Sequence, residues 1–204
     1  MPSMKRIAAL MLAALMLAGA AVFAGCRGGK DEPSATQPAS QEDEEKARIL
    51  ILAETFAGYG DYDCEKGFKL SEGERLLACR YRSHLAESEI PGYGKISFEE
   101  AEKELERMLG IGTLGALLHT PRKSEDQEIF AENGAYFIKL YEPEYEYELL
   151  SAEPVKGEES PAGRTFAIVE ASQGGEKQFS IELLLYRAES GEFYVRTAKK
   201  YLVR

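Results

Sequence analysis

The chain changes its hydrophobic rhythm three times. Residues 7–23 form a nearly unbroken apolar run rich in Ala and Leu. Residues 27–41, RGGKDEPSATQPASQ, then hold no apolar side chain larger than Ala. From there to about residue 109, apolar positions recur every three or four residues, the period of a helix with one buried face. From Gly134 onward the period falls to two, the signature of half-buried strands.

The helical stretch divides into three. The first helix is predicted over about 42–58. The acidic EDEE at 42–45 suits the positive end of the helix dipole, Ile49, Leu52, Ala53 and Phe56 form the apolar face, and Gly58 and Gly60 stop it. The second is predicted over about 71–88, with Ser71 and Glu74 at capping-box spacing and a stripe of Leu77, Tyr81 and Leu85. The third runs over about 97–109. It opens on another such pair, Ser97 and Glu100, buries Phe98, Ala101, Leu105 and Met108, and closes at Gly110. Leu114 to His119 offers one further turn.

Five strand-like segments follow: GAYFIKLY (134–141), YEYELLSAE (145–153), TFAIVEAS (165–172), KQFSIELLLYRA (177–188) and EFYVRTAKKYLV (192–203). Pro143 separates the first two, and Gly-Gly and Ser-Gly turns join the last three. Phe179, Ile181, Leu183 and Leu185 share one face. Helices first and antiparallel strands after is an α+β pattern. N-terminal helices are expected to pack on a C-terminal antiparallel sheet of about four to five strands, within one domain spanning 42–204.

The front of the chain carries a different message. Lys5 and Arg6 precede the apolar run, and small residues end it, as in a secretory signal. A transmembrane span needs roughly 20 apolar residues; this run is shorter, and Gly19 interrupts it. Val22-Phe23-Ala24-Gly25-Cys26 resembles the lipobox of bacterial lipoproteins, with Phe23 where that class usually has Leu. The resemblance implies that residues 1–25 are a signal peptide and that the Cys26 thiol receives diacylglycerol. Two acyl chains give stable attachment where one is marginal. Residues 26–41 would then be the lipidated cysteine and a disordered tether. The domain would face the extracytoplasmic side of a cell membrane.

Charge and cysteine content narrow the partners. Removal of Lys5 and Arg6 with the signal takes the net charge from −10 to −12. Phosphate backbones and anionic headgroups repel such a chain, so nucleic acid is excluded and the lipid supplies the membrane contact. The apolar content of 44% suffices for one core. Cys64 and Cys79 remain after Cys26. Outside the membrane a disulfide between them is permitted, worth about 3 kcal/mol in the chain-entropy model; two buried free thiols are the other reading.

Several motifs suggest chemistry and lose it in context. GIGTLG (110–115) has the spacing of a dinucleotide loop, but it follows a helix rather than a strand. DYDCEKGFKLSE (61–72) places Asp61, Asp63, Glu65 and Glu72 at calcium-loop positions, but Lys66 replaces the turn glycine and Lys69 adds a second opposing cation. YEPEYEYE (141–148) puts Tyr145 and Tyr147 on one strand face and glutamates on the other. Tyr141, Tyr145 and Tyr147 are a candidate binding strip, and a charge-protected edge strand is the plainer reading. Only His84 and His119 exist. His84 neighbours Ser83 on the predicted helix, where adjacent side chains diverge. No catalytic residue, metal site or cofactor is expected.

Helices followed by a meander resemble the cystatin-like and nuclear-transport-factor-two-like cone folds. Such folds hold a pocket between sheet and helices, catalytic in some members and used for binding or assembly in others. The expected function is a binding or envelope-assembly module taking a protein or small-molecule ligand. The alternative is a cone-fold enzyme with a pocket histidine as general base.

Overall fold

The computed structural model describes residues 40–69, 72–110, 117–155, 163–188 and 191–203. Among these the chain is α+β. The helices are α1 (Gln41–Tyr59), α2 (Gly73–Tyr81) and α3 (Phe98–Leu109). The strands are β1 (Tyr62–Asp63), β2 (Tyr93–Ser97), β3 (Ile129–Glu132), β4 (Ala135–Lys139), β5 (Glu146–Pro154), β6 (Arg164–Gln173), β7 (Glu176–Arg187) and β8 (Phe193–Leu202). Cys26, the expected tether as far as Ala39 and most of the GIGTLG loop lie outside the described residues; Gln41, the last residue of the expected tether, instead opens α1. No helix among the described residues is long and apolar enough to cross a membrane.

Two helices follow their local chemistry closely. Glu42, Asp43 and Glu44 occupy the first turn of α1, and the chain leaves that helix at Gly60, where φ is +106°. Helix α3 opens on a complete capping box. Ser97 Oγ accepts from the Glu100 backbone N–H at 3.2 Å, and the Glu100 carboxylate accepts from the Ser97 N–H at 3.2 Å. It closes at Gly110 in the left-handed region, φ +62°.

Helix α2 is shorter than the predicted 71–88. Ser71 lies outside the described residues, and the Glu74 Oε1 accepts from the distant Thr120 N–H at 2.8 Å. Past Tyr81 the backbone finds partners elsewhere. Tyr141 N–H donates to the Arg82 carbonyl at 2.8 Å, and Ser88 N–H donates to the Tyr93 carbonyl at 2.7 Å. Leu85, expected on the helix stripe, instead packs on Gly94, where a Cβ would fall 2.4 Å from the Leu85 Cβ.

The strands divide between two sheets rather than forming one. The larger has the order β1-β8-β7-β6-β5, and the smaller β2-β4-β3. Strand β4, expected at the head of the meander, therefore belongs to the second sheet. Its partners β2 and β3 are short segments that sequence periodicity does not reveal. The β3–β4 hairpin turns on Asn133 and Gly134, with φ of +50° and +78°. An Asn-Gly pair is the strongest short-range hairpin signal, so β3 had a readable cue. Gly174 and Gly175 make the equivalent turn between β6 and β7, as predicted, with φ of +61° and +84°.

Helix α1 lies against β5 to β8. Leu52 and Phe56 meet Ala167, Val169, Ile181, Leu183 and Leu185 in a core where each is no more than 1% exposed. A smaller cluster, Tyr93, Phe130 and Phe137, joins the strands of the second sheet.

Candidate functional site at the α1–β5 seam

Polar side chains meet where α1, the turn after α2 and β5 converge. Glu54, on α1, is the centre. Ser83 Oγ donates to its Oε1 at 2.6 Å, and His84 Nε2 lies 2.7 Å from its Oε2. On the predicted helix Ser83 and His84 would diverge. The helix ends at Tyr81, and the turn aims both side chains at one carboxylate. Gly58, one turn along α1, makes room for the neighbouring Arg82: a Cβ there would stand 3.0 Å from Arg82 Nη2.

Burial alone would push the Glu54 carboxyl up. The hydrogen bonds and charge of His84, with Ser83 and Arg82, override it and hold the carboxyl below its ordinary value. An ionised carboxylate only accepts, so His84 donates to it from Nε2. Ser83 donates to the carboxylate and not to the imidazole, so this is not the hydrogen-bond order of a serine nucleophile and its base. The set could orient a histidine as a proton acceptor, or present donors and acceptors to a ligand.

Tyr147 borders the same seam from β5. Burial, and then the Glu54 charge, push its hydroxyl well above the ordinary tyrosine value. Tyr145 and Tyr147 are half-buried and stand edge-on to Phe179, with centroids 4.9 and 6.4 Å away. Tyr141 takes no part in that ring cluster; it is 45% exposed in the segment between β4 and β5. The three tyrosines of the candidate strip thus divide into an exposed ring and a pair packed against the core.

Other candidates go to separate places. His119 sits in irregular chain at φ +48°. Its ring lies 4.1 Å from that of Phe98, and its Nδ1 lies 3.0 Å from the Tyr136 hydroxyl. In the 61–72 segment the acidic side chains do not converge. Asp61 accepts from the Lys200 N–H, Asp63 accepts from the Glu65 N–H, and Glu65 pairs with Arg196 at 2.9 Å. Among the described residues no group of three or more His, Cys, Asp or Glu could hold a metal ion. Cys64 and Cys79 are free thiols, one in the turn after β1 and one on α2. Burial pushes both thiols up.

A second polar knot ties the helices together. Glu104 of α3 is 5% exposed. Its Oε1 accepts from Arg48 Nη1 of α1 at 2.7 Å and from Arg80 Nε of α2 at 2.9 Å. Glu104 falls on the same stripe as Ala101 and Met108, three residues after one and four before the other. A charge on an apolar stripe was a readable signal of a buried partner. Nearby, a surface depression of about 320 Å³ is lined by Lys103, Glu106, Arg107, Glu192 and Tyr194 and holds no histidine.

No protein-family model, no curated protein and no solved structure matches this chain.

Proposed function

We propose that the protein is a membrane-tethered extracytoplasmic lipoprotein whose domain works by binding a partner rather than by catalysis. The sequence supports the tether: a basic start, an apolar run, small residues and Cys26, in that order. The observation that carries the binding reading is the filled interior. A cone-fold enzyme needs an open pocket between helix and sheet, and here Leu52, Phe56, Val169, Ile181 and Leu183 occupy that space at no more than 1% exposure. Photo-crosslinking on intact cells with the anchor in place tests it. The expected result is a discrete crosslinked partner, lost when Cys26→Ala releases the protein from the membrane.

The Glu54–His84 pair favours a second reading, a surface enzyme with His84 as general base. A His84 Nε2 held 2.7 Å from a carboxylate has the orientation that such a base needs. Turnover of any substrate that disappears in His84→Gln, with the melting temperature unchanged, replaces the binding proposal with this one.

A further inference from the structure

Strand β5 forms an open edge of the larger sheet. The strand ends the sheet order, and among the described residues no backbone group pairs along its free side. The buried layer also stops short there. Tyr147 lies directly opposite Ala171, and Leu149 opposite Val169. The β6 residues of these pairs are 0% exposed, while Tyr147 and Leu149 remain half-buried. One more strand would complete the layer.

The other face of the same edge is negative. Glu146 and Glu148 are exposed. Glu148 stands directly opposite Glu170, and like charges in that position repel. Glu170 has Lys177 at 2.6 Å; neither Glu146 nor Glu148 has a cation partner among the described residues. No Lys or Arg occurs from residue 140 to 155. Edge charges commonly guard a strand against pairing. A guard of one sign is selective, because it repels a second copy of itself and admits a strand of the opposite sign.

We infer that the β5 edge binds an extended segment of a partner in which basic and apolar residues alternate, adding a strand to the sheet. Backbone hydrogen bonds would supply the pairing, and alternate side chains the specificity. The basic residues would lie over Glu146 and Glu148, and the apolar ones over Tyr147 and Leu149. This inference rests on the binding reading and names the partner's chemistry.

The test uses the full chain and three synthetic peptides followed by fluorescence anisotropy. One alternates lysine with valine. The second has glutamate for lysine. The third is the lysine peptide with alternate backbone amides methylated, so that it cannot pair as a strand. The lysine peptide is expected to bind, more weakly as salt rises, and the other two are not. The double variant Glu146→Lys, Glu148→Lys removes exposed side chains and should still fold. It should bind the lysine peptide about tenfold more weakly, two rim ion pairs having been lost, and should accept the glutamate peptide.

Equal binding of the methylated peptide overturns the inference, because it shows adhesion without strand pairing. Unchanged affinity in the double variant also overturns it. So does sedimentation showing a dimer that the peptide competes away, since a second copy is then the occupant. If all three peptides fail while crosslinking captures a partner elsewhere on the domain, the edge proposal falls and the binding reading stands. If no partner is captured and turnover depends on His84, the binding reading falls.

Discussion

Glu54 and Glu104 solve the same electrostatic problem with different partners. Burial would raise both carboxyls; a histidine and a serine hold the first low, and Arg48 and Arg80 hold the second low. The sign of the consequence is fixed. A carboxyl whose folded pKa is depressed adds stability above its ordinary value near 4.5 and loses it as pH falls through the depressed one. Urea unfolding from pH 6 downward should therefore show stability falling below about pH 4.5, and Glu104→Gln should flatten that fall. At neutral pH the same variant leaves two buried guanidinium groups without their counter-charge, which should cost about 3–5 kcal/mol. A pH profile of the variant as steep as the wild type's would show that Glu104 is not the group responsible.

At the scale of elements, α3 and β5 make opposite demands. Helix α3 is fixed by neighbours in sequence. Ser97→Ala removes the acceptor for the Glu100 N–H and should cost about 1 kcal/mol, read as a lower denaturant midpoint with unchanged slope. Strand β5 is fixed by what covers it. Tyr147 is packed between Phe179 and the Glu54 region. Tyr147→Ala should cost about 1–3 kcal/mol through lost area and ring contact, whereas Tyr141→Ala, at an exposed ring, should leave the melting temperature within a degree or so. An equal effect of the two substitutions would contradict the division of the tyrosine strip.

For the whole molecule, the functional proposal depends on where the folded part is held. Two acyl chains on Cys26 would keep the domain at the membrane, and the acidic charge would hold its surface off anionic headgroups. Cys26→Ala should abolish labelling by a fatty-acid probe and move the protein from the membrane fraction to the soluble one. Unchanged labelling and fractionation would remove the lipoprotein assignment. The fold itself should survive the substitution, because among the described residues α1 and the larger sheet form their own core, from Ile49 to Ala198.

The sequence alone determined what local forces decide. The period of the apolar residues sets helix or strand, side-chain caps set the limits of α3, and glycine pairs set the β6–β7 turn; each acts over a few residues and needs no distant partner. The acidic opening of α1 and the edge character of the Tyr-Glu stretch belong to the same class. Tertiary structure decided what depends on distant residues. Helix α2 stops at Tyr81, and the Arg82 carbonyl accepts from the distant Tyr141 N–H instead of from a further helical turn, while β4 joins β2 and β3 in a separate sheet through pairings that no alternation encodes. Ser83 and His84 reach Glu54 across 29 and 30 residues of chain. Only packing α2 against α1 brings them together, because hydrogen bonds across such a separation form only after the loop entropy between their elements has been offset by the burial of both.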